Sequence, residues 1–139
     1  MLNFGRKYGL TSTEWEIMEV VWSAEDGLSF QKLLDRMNGE YQKDWKRQTL
    51  RTFLAGLQKA ELIESRGSRK SQIYYPLRSR DEHIHRWTRR LLDKSFDGSL
   101  GVFLSAFAGN QPLTPEDIQT IRDALERLSP ENFHPKEAE

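Results

Sequence analysis

Gln48, Arg51 and Thr52 stand three and four residues apart in the segment DWKRQTLRTFLAGLQKAELI, and with Ala55 they fall within one arc of a helical wheel. Leu50, Phe53, Leu54 and Leu57 fill the opposite arc. The chemistry open to such a polar front is base reading in the major groove of duplex DNA. An arginine forks onto guanine O6 and N7, a glutamine bonds adenine, and a threonine reaches a base edge or the thymine methyl. A small Ala55 allows close approach. Lys46, Arg47 and Thr49 flank this face near the helix start, where free backbone N–H groups favour a phosphate.

An exposed charged helix face is ordinarily just solvated, so the neighbouring residues decide. From Leu62 to Pro76 the pattern changes from helical to alternating, with a Gly-Ser turn and β-branched and aromatic residues between Gln72 and Tyr75. Arg66, Arg69 and Lys70 surround that turn. A hairpin with a basic tip suits the sugar-phosphate backbone, where cations add affinity that is blind to sequence and sensitive to salt.

The elements that must position these residues are legible upstream. Thr11 reads as an N-cap, with Glu14 completing a capping box and Leu10 stapled to Trp15. The helix it opens carries Trp15, Met18, Val21 and Trp22 as a buried stripe, with Ile17 beside them. Ser29 caps a second, short helix with Phe30, Leu33, Leu34 and Met37 on one side, and Asn38-Gly39 reads as its stop. Helix, short helix, basic helix and basic hairpin, in that order, form the layout of a winged helix-turn-helix.

A fourth helix is expected over Asp81–Ser95, a fifth around Leu100, Phe103, Leu104 and Phe107, and a sixth from Pro115, capped at Thr114, to Leu128. The fold class is therefore mostly α with a small β-hairpin wing: a DNA-binding domain over residues 1–79, a helical dimerisation domain over 80–129 and a disordered polar tail over 130–139. Ile84, Trp87 and Leu91, with Leu100, Phe103, Leu104 and Phe107, offer more apolar surface than three short helices cover among themselves. A second copy of the chain is the expected cover, and the rival is an intrachain core packed on the first helix.

Charge agrees with this division. Residues 1–80 carry 14 Lys and Arg against 10 Asp and Glu, a net of +4, and residues 81–139 carry 7 against 11, a net of −4. Between Lys43 and Arg80 the excess rises to 10 cations against 3 anions. The absence of cysteine excludes disulfides and thiolate metal sites. The apolar run Leu100–Gly109 is half of the roughly 20 residues that span a bilayer, and the N-terminus lacks the apolar region of a secretion signal, so a cytoplasmic protein is expected. His83 and His85, two apart on a helix, point to different sides and do not form a joint metal ligand. No phosphate loop, nucleophile elbow or carboxylate pair with a base is present. Neither an enzyme nor a cofactor is expected.

The first helix TSTEWEIMEVVW, the segment WKRQTLRTFLAGLQKAELI, the wing ending IYYPL and the later SFDGSL resemble the penicillinase and methicillin-resistance repressors of bacteria, from about Leu10 to Leu128. That resemblance implies a homodimeric winged-helix repressor on an operator of dyad symmetry. It also implies inactivation by a membrane sensor protease within the C-terminal domain. The resembling proteins are cut at an Asn-Phe bond, which aligns with Ala106-Phe107 and keeps only the Phe. They commonly start the third helix with a Ser-Pro cap, where this chain has Lys46 and Arg47, and Asp44 is the expected substitute cap. The cysteine motif of copper-responsive relatives is missing. The rival readings are a winged-helix protein-interaction module without DNA binding and a repressor that senses a small molecule.

Overall fold

The computed structural model describes residues 5–109 and 111–129. Its elements run α1 (Ser12–Ser23), β1 (Leu28–Ser29), α2 (Phe30–Glu40), α3 (Arg47–Lys59), β2 (Ile63–Arg66), β3 (Ile73–Pro76), α4 (Arg80–Ser95), α5 (Leu100–Ala108) and α6 (Pro115–Leu128). The strands form an antiparallel sheet in the order β1-β3-β2. This is the mostly helical, winged architecture expected. Two compact units divide the chain, the first ending at Leu91 and the second beginning at Leu92. The tail expected over 130–139 lies outside the described residues.

In the first unit, the Thr11 hydroxyl accepts from the Glu14 amide at 3.1 Å, while the Glu14 carboxylate accepts from the Thr11 amide at 2.8 Å. Leu10 and Trp15 are both buried, as the staple requires. α1 also buries Val20, so its apolar surface is wider than one stripe, because α2 and the sheet each pack against it. Trp22 is partly buried against the core, with its indole N–H donating to the Arg78 carbonyl at 2.9 Å. Leu33, Leu34 and Met37 of α2, Leu50, Leu54 and Leu57 of α3, and Ile63 and Tyr74 of the sheet complete the core.

α2 begins where expected, at Ser29, whose hydroxyl accepts from the Lys32 amide. It does not stop at Asn38-Gly39 but continues to Glu40. Asn38 instead uses its side chain on the turn that follows: Oδ1 accepts from the Trp45 amide at 3.0 Å, and Nδ2 donates to the Trp45 carbonyl at 3.2 Å. Trp45 in turn stacks on Phe53 of α3, with ring centroids 5.0 Å apart. These contacts fix the entry to α3 without a capping side chain. The N-cap is Lys46 and makes no side-chain cap bond, so Asp44 does not serve as the cap.

The two-residue strand β1 was too short to show a period in the sequence. It pairs Leu28 with Tyr74 and Ser29 with Ile73, which ties the start of α2 to the wing. Just before it, Gly27 has φ +82°, and a Cβ there would lie 2.5 Å from Ile73 Cγ2 and 2.7 Å from the Tyr75 ring. At the wing turn, Gly67 has φ +104° and sits where a Cβ would meet the Ser71 carbonyl at 2.5 Å. Only glycine fits either position without strain.

The first half of α4 packs within the first unit. Ile84 lies against its core, Trp87 stands edge-on to Tyr8 at 5.6 Å, and His83 Nε2 is 3.0 Å from the Tyr8 carbonyl oxygen. In the second unit, Ser99 caps α5, and Thr114 with Asp117 forms a capping box on α6 behind Pro115. No described residue of the second unit is buried.

Candidate nucleic-acid interface

α3 buries Leu50, Leu54 and Leu57 and exposes Gln48, Arg51, Thr52 and Ala55. Each fully buried aliphatic side chain contributes about 1.5–3 kcal/mol, so three along one face hold the helix in a fixed rotation. The exposed row is therefore presented by a rigid support. Within it, the Thr52 hydroxyl donates to the Gln48 carbonyl at 3.0 Å and accepts from Gln48 Nε2 at 3.4 Å. Lys46, Arg47 and Thr49 are exposed around the first turn. With no capping side chain there, the Thr49 amide turns back to donate to the Lys46 carbonyl at 3.1 Å.

The hairpin places Arg69 and Lys70 across from that first turn. Together with Arg47 and Arg51, they surround a hollow of about 400 Å³ that is closed on its other sides by Phe30, Gln31 and the start of β3. Four cations from two separate elements thus converge on one concavity. Gln48, Thr49 and Thr52 do not line it but continue from it along α3. Arg66 is placed differently: its Nε donates to Glu64 at 2.9 Å, and its guanidinium lies 4.4 Å from the Tyr75 ring centre. Glu64, Arg66, Ile73 and Tyr75 share one face of the wing by register.

Two residues of this site escaped the reading of the sequence. Phe30 carries the apolar spacing of a core position, yet its ring is only half-buried and lies under two guanidiniums, with Arg47 Cζ at 4.7 Å and Arg51 Cζ at 4.6 Å. Gln31 accepts from Arg47 Nη1 at 2.7 Å. The available signal was the cap at Ser29, which puts Phe30 at the first position of α2, on the rim of the core rather than inside it.

Of the residues expected between two copies of the chain, Ile84 and Trp87 are engaged within the first unit, and Leu91 is half-buried. Leu100 and Phe107 are 55% and 64% exposed. Phe103 stands edge-on to Phe96, and Phe103, Leu104 and Phe107 line a shallow hollow with Asp117, Thr120 and Ile121 of α6. α6 adds Ile118, Leu125 and Leu128, all exposed, which with Ile121 recur at three- and four-residue steps along one stripe. That stripe has a helical period of its own in the sequence and adds to the apolar surface of α5. Ala106 and Phe107 are both exposed, within the last turns of α5.

The family profile described as penicillinase repressor matches residues 10–127. The methicillin resistance regulatory protein MecI of Staphylococcus aureus (strain N315) is 24% identical over 122 residues, covering 88% of this chain and 97% of that protein. The penicillinase repressor of Staphylococcus aureus is 23% identical over 120 residues, covering 86% and 93%. Among solved structures, the crystal structure of AbsC, a MarR family transcriptional regulator from Streptomyces coelicolor, aligns with a TM-score of 0.45 at 17% identity, over 88% of this chain and 74% of that one.

Proposed function

The chain belongs to the penicillinase repressor family, and on that premise we propose that it is a sequence-specific, double-stranded DNA-binding transcriptional repressor that acts as a homodimer on a dyad operator in the cytoplasm. The observation that carries this reading is the pairing of a rigidly backed, exposed row of Gln48, Arg51 and Thr52 with a four-cation concavity at one end of it. The row reads bases, and Arg47, Arg69 and Lys70 take the backbone beside it. Arg51 is the guanine reader and Gln48 the adenine reader. Because the Thr52 hydroxyl already donates to the helix, its methyl is the group left for the thymine methyl. Lys46, Arg47, Thr49, Arg69 and Lys70 hold phosphates. Arg66 joins them by exchanging its Glu64 partner for a phosphate oxygen.

Dimerisation rests on the second unit. A folded segment with no buried residue among those described, and with Leu100, Phe107, Leu125 and Leu128 more than half exposed, gains stability when a like surface covers it. Joining two reading heads raises affinity through effective concentration, with half-sites spaced at multiples of about 10.5 base pairs. The Ala106–Phe107 bond is the point at which a membrane sensor protease would separate the heads. Cleavage there requires the end of α5 to unwind, since both residues are helical.

The testing experiment is a salt titration of binding to a labelled duplex pool, run beside sedimentation of the free protein. Repression by this interface requires log affinity to fall with log salt by about 0.9 per phosphate neutralised, and a dimer in the sedimentation. A protein-interaction module would ignore the duplexes at every salt concentration.

A further inference from the structure

We infer that Phe30 is a specificity-positioning residue: its ring sets the plane of the Arg51 guanidinium before DNA arrives. The inference rests on the DNA-reading assignment above and extends it to a side chain that lies on another helix.

Arg47 and Arg51 are one helical turn apart, and two like charges at that spacing repel. Their guanidinium carbons nevertheless lie 4.7 Å and 4.6 Å from the centre of the same ring. The negative face of an aromatic ring offsets the repulsion, and a flat guanidinium stacks on it. The two arginines are then distinguished by what else holds them. Arg47 has one N–H committed to the Gln31 side chain at 2.7 Å, which draws it sideways toward α2. Arg51 has the ring contact as its only such anchor among the described residues, so its planar fork of N–H donors is oriented and still open.

An arginine side chain has many rotamers, and a preset fork loses less of that freedom when it bonds guanine. The benefit goes to the correct base, because only a bidentate partner rewards a fixed plane; phosphates accept a guanidinium in many orientations. Removing the ring should therefore lower discrimination between sequences more than it lowers overall affinity. Phe30 itself touches no base in this scheme and acts through Arg51.

The test uses the full chain and a duplex selected from a pool of randomised double-stranded oligonucleotides, with a shuffled duplex of the same composition as reference. Phe30→Leu keeps the bulk and removes the ring. It should lower the selected-to-shuffled affinity ratio by roughly 3- to 10-fold, the size of one cation–π contact, while Phe30→Tyr restores it. In an Arg51→Ala background, Phe30→Leu should change the ratio no further. Stepwise fluorination of the Phe30 ring leaves shape and folding intact and should lower the ratio with each fluorine. A ratio that is unmoved by both Phe30→Leu and fluorination, while Arg51→Ala lowers it, overturns the role of Phe30 alone. A ratio unmoved by Arg51→Ala overturns the base-reading assignment, and this inference with it.

Discussion

The indole N–H of Trp22 donates to the backbone carbonyl of Arg78 across 2.9 Å, which joins the end of α1 to the chain leaving the wing. Trp22 also meets the Trp15 ring edge-on at 5.3 Å, so one side chain couples the helical core to the hairpin exit. Trp22→Phe keeps the ring contact and removes the donor. The expected loss is about 1 kcal/mol of stability, the ordinary net value of one such bond, read as a lower midpoint in urea denaturation with an unchanged slope.

Gly27→Ala should cost more, for two separable reasons. The backbone at φ +82° penalises any Cβ by about 1–2 kcal/mol, and the new methyl also meets Ile73 and Tyr75. Adding Ile73→Ala removes the closer of the two contacts and should recover only part of the steric loss, since Tyr75 stays in place. Denaturation midpoints of the single and double variants separate the two contributions, and full recovery in the double variant would show that the backbone carries no strain.

Arg36 donates to the Glu40 carboxylate along the outside of α2, which holds that carboxyl below its ordinary value of 4.5. A lowered folded value means that the pair's contribution is fully present above that pH and is lost as pH falls through the lower folded value. Glu40 is exposed, so the contribution to stability is small. The clean readout is an NMR titration of the Glu40 carboxyl, whose midpoint should move up in Arg36→Gln and stay in place in Lys32→Gln.

Charge placed on the exposed apolar stripes should separate the copies of the proposed dimer without disturbing the reading head. Phe107→Asp and Leu125→Asp each put a carboxylate where a partner's apolar side chain is expected, at positions 64% and 60% exposed in the single chain. Sedimentation should show a monomer in each case, with the unfolding midpoint of the first unit retained and affinity for the selected duplex falling to that of one head. Dimers that persist in both variants would place the interface elsewhere.

The parts of the fold that depend on local rules were readable from the chain. Thr11 with Glu14 and Thr114 with Pro115 and Asp117 mark their helix starts by chemistry that acts over three residues, and each forms as expected. The inward row of α3 was readable because its 3.6-residue period is undiluted. The features that could not be read depend on distant partners. β1 exists only because β3 lies beside it, Asn38 looks like a helix stop until Trp45 folds back onto it, and Phe30 looks like core until two arginines from α3 cover it. Asp44 is the natural cap by the same local logic, and tertiary contacts on Asn38 and Trp45 make a cap unnecessary. Ile84 and Trp87 carried apolar spacing without an address, and Tyr8 and the first-unit core supply one.

The most direct measurement compares affinity for a selected duplex with affinity for its shuffled counterpart in wild type, Arg51→Ala, Gln48→Ala and Lys70→Ala, all at one moderate salt concentration. The account predicts that Arg51→Ala and Gln48→Ala each reduce the ratio by about 1–3 kcal/mol, with the loss confined to particular base positions, while Lys70→Ala weakens both duplexes alike and leaves the ratio in place. A wild-type ratio of one, or a ratio that survives loss of both Arg51 and Gln48, would contradict it.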